Sequence, residues 1–316
     1  MSTADEDNDY IPPDICANCG KEGDEINNIC NKCKQVKYCN AACKKKHRHK
    51  HKKDCEEYQR LAAERAAGLH DIELFKQPPP EEDCPICFVR LPTLYVTGRR
   101  YQACCGKEIC CGCVHAPLYD NQGNKVGNKK CPFCRTPNPT SEEELFEKIS
   151  KLVDMNDPVA IYNMGGYYDE GRYGLHQNHN KALELWHRAG ELGNTNAYAS
   201  IGYAYKHGQG VEVDKKKATY YYELAAMTGN TIVRHNLGNS ERRLGNMNRA
   251  LKHYMIAVRS GYDKSLDEIK KLYSNGHATK DDYMKALRSY QVYLGEIKSR
   301  QRDEAAAFES EKYRYY

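Results

Sequence analysis

Residues 193–230 read GNTNAYASIGYAYKHGQGVEVDKKKATYYYELAAMTGN, and residues 157–194 before them read DPVAIYNMGGYYDEGRYGLHQNHNKALELWHRAGELGN. Ala182, Ala189 and Gly193 recur 36 residues later as Ala218, Ala225 and Gly229. A period of this size, with small residues at fixed places, is the pattern of stacked helical hairpins. Alanines let the two helices of a hairpin approach closely, and glycines end helices or turn the chain. Trp186, Tyr203, Tyr205, Tyr221, Tyr222 and Tyr254 are expected as core or groove wall between units. A third unit continues with Ala250, Ala257 and Gly261, its loop four residues shorter. Ala286 falls 36 after Ala250, while Lys270 stands where a fourth unit would repeat Gly238. Three to four units are expected, the last serving as a cap. The loops GRYG (171–174) and GQG (208–210) follow no strand, so a nucleotide-binding reading fails.

These units resemble Sel1-like repeats, relatives of tetratricopeptide repeats. The resemblance rests on the small-residue helix Ala197–Ala204, the loop GQGVEVDKKKA and the ending AAMTGN, and covers about residues 157–295. It implies a superhelical array that scaffolds protein complexes on its concave face.

Ahead of the repeats the chemistry changes. All sixteen cysteines lie between Cys16 and Cys134, mostly as pairs two residues apart with histidines nearby. That spacing points to zinc rather than disulfides. The first cluster offers Cys16, Cys19, Cys30, Cys33, Cys39, Cys43, His51 and Cys55, eight ligands for two tetrahedral sites. A two-residue gap lets two thiolates close on one ion from a tight turn. A three-residue gap puts two ligands on one face of a helical turn. His51 stands four before Cys55 and completes the count, whereas His47 and His49 are taken as surface residues.

The string YCNAACKKKHRHKHKKDC (38–55) resembles the second half of a MYND-type zinc finger, and all eight ligand positions of that family are present. The resemblance implies interleaved binding, with Cys16, Cys19, Cys39 and Cys43 on one zinc and Cys30, Cys33, His51 and Cys55 on the other. It also implies binding of short, often proline-containing peptides rather than chemistry. The tryptophan that the family often carries before the ligand histidine is replaced here by His49 or a neighbour. The run KKKHRHKHKK (44–53) is read first as the solvated face of the finger's last helix. Nucleic-acid contact or nuclear import is its second reading.

The second cluster offers Cys84, Cys87, Cys104, Cys105, Cys110, Cys111, Cys113, His115, Cys131 and Cys134, ten groups for eight positions. CPIC (84–87) and CPFC (131–134) are clear knuckles, and Cys110 with Cys113 makes the cleaner middle pair. The stretch CGKEICCGC resembles the core of a RING-type finger, with Lys107 where that family binds metal through histidine. An all-cysteine variant is favoured. Its implied cross-brace puts Cys84, Cys87, Cys110 and Cys113 on one zinc and Cys104, Cys105, Cys131 and Cys134 on the other. His115 with either Cys104 or Cys105 is the alternative, and Cys111 is left over as a structural or surface thiol.

The resemblance implies a ubiquitin ligase that recruits a ubiquitin-conjugating enzyme and does no covalent chemistry itself. Ile86 and Pro132 fit the apolar docking positions, and Arg135 fits the basic residue that bridges the conjugating enzyme and ubiquitin. A guanidinium can donate to several carbonyls at once. Each also has a plainer reading: Ile86 as cover for the metal site, Pro132 as a shaper of its knuckle, Arg135 as a surface charge. Val114 departs from the family's usual aromatic.

The resulting fold class is two small cross-braced zinc modules followed by an all-α superhelical repeat, a Sel1-like solenoid. The segments are an acidic, disordered 1–13, a MYND-type finger at 14–55 and a helix with proline spacer at 56–80. A RING-type finger at 84–134, repeats at 141–299 and a charged, tyrosine-rich tail at 300–316 follow. In the helix before the prolines, Leu61, Ala62, Arg65, Ala66 and Leu69 form a weak apolar stripe, and Ser141 with Glu144 forms a capping box. Residues 119–130 read as a loop.

A net charge of +5 is too small for the length to imply nucleic-acid binding by itself. No stretch has the apolar length of a membrane span, a secretory signal or a lipidation motif. The cysteine usage then suggests the reducing cytoplasm or nucleus. No nucleophile–base set stands out. Two functions fit: a zinc-finger and repeat adaptor binding peptide segments of partners, or a ligase that selects substrates through the finger and the repeats. The three-part combination resembles an architecture seen among predicted proteins of microalgae such as diatoms, which assigns no pathway.

Overall fold

The computed structural model describes residues 14–93, 98–118, 124, 126, 130–308 and 315. The acidic 1–13, most of the loop 119–130 and most of 309–316 lie outside the described residues. The chain divides into two compact units, Met1–Glu73 and Leu74–Tyr316.

The first unit holds a two-stranded antiparallel ribbon, β1 (Asn28–Ile29) with β2 (Lys37–Tyr38), and the start of a long helix, α1 (Ala41–Leu74). The ribbon brings Cys30 and Cys33 against Cys55, with Ile26 and Tyr38 completing a small core. No proline or glycine pair interrupts the run from Ala41, so the ligand-bearing helix continues through the stretch expected as a separate one. The expected apolar stripe does not form a buried face: Leu61 and Leu69 are 48% and 58% exposed. Most of the basic run is exposed; besides His47 and His51, Lys44 turns inward, its Nζ donating to the Ile29 carbonyl at 2.7 Å.

The second unit begins with the proline segment and the second cysteine cluster. Here β3 (Arg99–Gln102) pairs antiparallel with β4 (Lys107–Cys110), which runs into the short helix α2 (Cys111–His115). Then follow α3 (Glu142–Asp154) and four hairpins. These are α4 (Pro158–Glu170) with α5 (His179–Glu191), α6 (Thr195–His207) with α7 (Lys215–Met227), α8 (Thr231–Arg243) with α9 (Met247–Arg259), and α10 (Asp263–Ser274) with α11 (Lys280–Ile297). A final helix, α12 (Arg300–Phe308), occupies the start of the expected tail.

Local sequence explains the helix ends. Asp157, Asn178, Asn194, Asp214 and Asn230 each accept a backbone N–H of the following first turn. Gly171 and Gly208 close α4 and α6 in the left-handed conformation. Ser141 caps α3 as expected, but Glu144 reaches one residue further back, to the Thr140 N–H at 2.9 Å.

The periodic small residues are where the hairpins touch. Ala182, Ala189, Ala218, Ala225, Ala250, Ala257 and Ala286 are essentially buried. Gly165 lies against Trp186, Gly202 against Tyr222 and Gly238 against Tyr254, one glycine–aromatic contact in each of the first three hairpins. The fourth breaks the pattern with an exposed Lys270 and an 18-residue α11.

Candidate metal centres

Cys110 and Cys113 sit at the start of α2, and the other four two-residue cysteine pairs are all built one way. The residue after the second cysteine turns left-handed: Gly20 at φ 70°, Lys34 at 58°, Phe88 at 55° and Arg135 at 61°. Its N–H then donates to the carbonyl of the first cysteine, at 2.8, 3.0, 2.9 and 3.0 Å respectively. That closes a turn and points both sulfurs inward. A non-glycine residue there carries about 1–2 kcal/mol of backbone strain, and three of the four knuckles accept it.

Four tetrads result: Cys16, Cys19, Cys39 and Cys43; Cys30, Cys33, His51 and Cys55; Cys84, Cys87, Cys110 and Cys113; and Cys104, Cys105, Cys131 and Cys134. Within each, the donor atoms all lie within 4.8 Å of one another. A tetrahedral zinc with sulfur ligands at about 2.3 Å requires sulfur–sulfur edges of about 3.8 Å. The structure has Cys19–Cys39 at 3.8 Å, Cys30–Cys55 at 3.8 Å, Cys87–Cys110 at 3.7 Å and Cys105–Cys131 at 4.0 Å. Cys104–Cys134 at 3.3 Å and Cys33 to His51 Nε2 at 3.3 Å are somewhat tighter. All are far beyond the roughly 2.0 Å of a disulfide, and all sixteen cysteines are free. The four clusters can each coordinate a metal ion, and their donor chemistry and edge lengths suit zinc.

The thiols are poised unequally. Burial opposes ionisation of Cys16, but backbone N–H groups of Cys39, Asn18 and Cys19 outweigh it and hold the thiol at about 6. The neighbouring Cys43 sulfur, with burial, pushes Cys39 up to about 12. Burial, then Cys30 and Cys33, pushes Cys55 to about 12.

The remaining sequence candidates are placed as follows. His115 is buried with its ring 5.3 Å from Phe308 and is outside the tetrads. Lys107 is exposed on β4, opposite Gln102. Cys111 is buried among Tyr293, Ile297, Ala305 and Tyr315, and burial pushes its thiol up to about 12. Ile86 and Val114 pack against the second cluster's core, Pro132 is half-buried and Arg135 exposed. Between them the knuckles leave Phe88 and Phe133 at 78% and 42% exposed.

Two contributors escaped the sequence reading. His47, expected at the surface, is half-buried, stacks on His51 at 5.9 Å and lies 3.3 Å from the Tyr38 hydroxyl. It therefore helps orient a ligand imidazole. Its spacing, four before His51 on one helix, is the signal that could have found it. Arg302 is the other: it is fully buried against the second cluster, 215 residues from Cys87 in sequence. No spacing rule reaches that far.

Two surfaces of the second unit remain open. A cavity of about 540 Å³ lies between the second cluster and the turns joining the hairpins, lined by Pro79, Arg90, Lys107, Asp157, Asn194 and Gly229 among others. A groove of about 390 Å³ runs along α6 and α8, lined by Tyr203, Lys206, Tyr222, Asn236, Leu237 and Arg243 among others. Among the described residues no helix is long and apolar enough to cross a membrane.

Fold and clusters together define a chain with cysteine-rich metal-site modules ahead of an α-helical repeat solenoid. Comparison with known proteins sharpens both halves. Residues 16–55 match the MYND finger model, and residues 158–194 and 195–230 match the Sel1 repeat. The chain is 40% identical over 78 residues to the E3 ubiquitin-protein ligase DA2 of Arabidopsis thaliana, covering 22% of this chain and 18% of that protein. It is 30% identical over 128 residues to Protein sel-1 homolog 2 of Homo sapiens, covering 40% of this chain and 18% of that protein. The chain thus spans about a fifth of the length of these curated relatives. A solved Sel1 repeat protein from Oxalobacter formigenes is 28% identical with a TM-score of 0.41, covering 49% of this chain and 65% of that one.

Proposed function

We propose that the chain is a zinc-dependent protein-interaction scaffold, with a MYND-type finger at 14–55, a RING-type finger at 84–134 and repeats at 141–299. The observation that carries this is the closure of all four tetrads. Each presents four protein donors to one point, which is how structural zinc is held, whereas catalytic zinc keeps a position open. The metal therefore supplies folding free energy, and the work is done by surfaces. The groove along α6 and α8 combines tyrosine faces, an exposed asparagine and basic side chains, and suits an extended peptide segment of a partner. The intended setting is cytoplasmic or nuclear. Elemental analysis of the purified chain tests the metal reading: four zinc ions are expected, and two or fewer would remove one module.

A ubiquitin-ligase reading is favoured by one further observation, the likeness to a protein named as an E3 ubiquitin-protein ligase. In that reading Ile86, Pro132 and Arg135 contact a ubiquitin-conjugating enzyme. The zinc-loaded full chain would then stimulate ubiquitin discharge from at least one conjugating enzyme, and Ile86→Ala and Arg135→Ala would abolish it. No stimulation across a panel of conjugating enzymes leaves the scaffold reading alone.

A further inference from the structure

Helix α12 is pressed onto the second cluster. Gly112 sits so close to it that a Cβ there would meet the Arg302 backbone nitrogen at 2.7 Å. The Cys113 sulfur lies 3.5 Å from Gln301 Oε1. Arg302 is 0% exposed. Its Nη1 donates to the carbonyls of Arg90 at 2.7 Å and Ile297 at 2.6 Å. Its Nη2 donates to the Val89 carbonyl at 3.0 Å and faces the Cys87 sulfur at 3.9 Å. A guanidinium buried this deeply needs an anion as well as carbonyls, because burying an isolated charge is costly. Among the described residues no carboxylate pairs with Arg302, whose partners are the three carbonyls and the Cys87 sulfur. The facing group is the tetrad of Cys84, Cys87, Cys110 and Cys113. Four thiolates around a divalent ion carry a net charge of −2, which is itself poorly tolerated in a buried site.

We infer that Arg302 is the counter-charge of this one metal site, so that ion binding there and docking of α12 form a single linked equilibrium. The inference rests on the zinc reading above. Arg302 is a positioning residue: it touches no ion, but it neutralises the thiolate cage and fixes the Cys84–Cys87 knuckle through the Val89 and Arg90 carbonyls. Linkage is reciprocal, so whatever factor Arg302 contributes to ion affinity, the ion returns to α12 docking.

The test is chelator competition on the full chain. Outer-shell partners of metal ligands are typically worth about 10–100-fold in affinity. Arg302→Gln is therefore expected to weaken one of the four ions by about that factor, with Arg302→Lys losing less and the control Arg300→Gln, at an exposed residue, keeping wild-type behaviour throughout. In a Cys84→Ser background, which lacks the site, Arg302→Gln should change none of the remaining ions. A second arm uses the wild-type chain only: hydrogen exchange at residues 300–308 should accelerate as this ion is stripped. Release of all four ions alike from wild type and Arg302→Gln would overturn the inference, as would unchanged exchange of 300–308 after stripping. A wild-type chain holding fewer than four ions would instead strike the zinc reading itself.

Discussion

Gly165 and Gly166 are neighbours on α4 with opposite surroundings. A Cβ at Gly165 would lie 2.5 Å from Trp186 Nε1 and 2.6 Å from its Cδ1, whereas a Cβ at Gly166 meets nothing within 4 Å. Alanine at either position gains about 1 kcal/mol of helix propensity. At Gly166 that gain stands alone. At Gly165 the methyl intrudes about 1 Å inside the normal contact distance, and Trp186 is only 6% exposed, so it has little room to retreat. Overpacking of this kind costs about 1–3 kcal/mol. Displacing the indole also strains its N–H bond to the Tyr162 carbonyl, at 3.3 Å, worth about 1 kcal/mol. Gly165→Ala should therefore be less stable than Gly166→Ala by about 2–4 kcal/mol. For a unit of this size that separates the melting midpoints by roughly 5–15 °C. Trp186 is the only tryptophan, so its fluorescence follows this hairpin directly in the intact, zinc-saturated chain. A Gly165→Ala midpoint equal to or above that of Gly166→Ala would refute the packing argument.

Asp157 should be a stability hot spot, because its Oδ1 both caps α4 through the Ala160 N–H at 2.8 Å and accepts the Tyr101 hydroxyl at 2.7 Å. Asp157→Ala is expected to cost about 1.5–3 kcal/mol by chemical denaturation, and Tyr101→Phe less; equal costs would contradict the shared-oxygen account. Arg234 is buried, its Nη2 donating to the Ala226 carbonyl at 2.7 Å and its Nη1 to the Leu74 carbonyl, with burial lowering its pKa to about 10. Arg234→Met, which keeps volume but removes both donors, is expected to cost roughly 2–4 kcal/mol, and a melting midpoint within a degree of wild type would count against it. The Cys39 and Cys55 thiols are pushed up to about 12, so they hold protons at neutral pH and must lose them to coordinate. Raising pH removes that competition, so zinc affinity of the first unit should rise from pH 6.5 to 7.5, with protons released on binding. A chelator competition insensitive to pH over that window would contradict the sign.

The repeat frame was legible because helical hairpins need small residues where backbones approach, and that need recurs with the period. Ala182, Ala218 and Ala250 mark the frame, and each is buried at a hairpin contact. The helix stops were legible for a similar reason: Asn and Asp caps and left-handed glycines act within one turn of themselves. The stripe at Leu61 and Leu69 marked a helix and nothing more, because an apolar face is buried only if another element arrives to cover it. The surplus of Cys111 and His115 over eight ligand positions was visible in the count, but not their use. Both are spent on packing, Cys111 against Tyr293 and Ile297, His115 against Phe308.

Spacing along the chain therefore determined the hairpin period, the knuckles and the supply of metal donors, since each depends on residues a few positions apart whose geometry one turn can fix. Tertiary structure alone placed Arg302 of α12 against the second cluster and turned Cys111 and His115 to packing. Those outcomes depend on contacts between segments some 200 residues apart. There, burial and charge neutralisation select the partner, and no local periodicity records the choice.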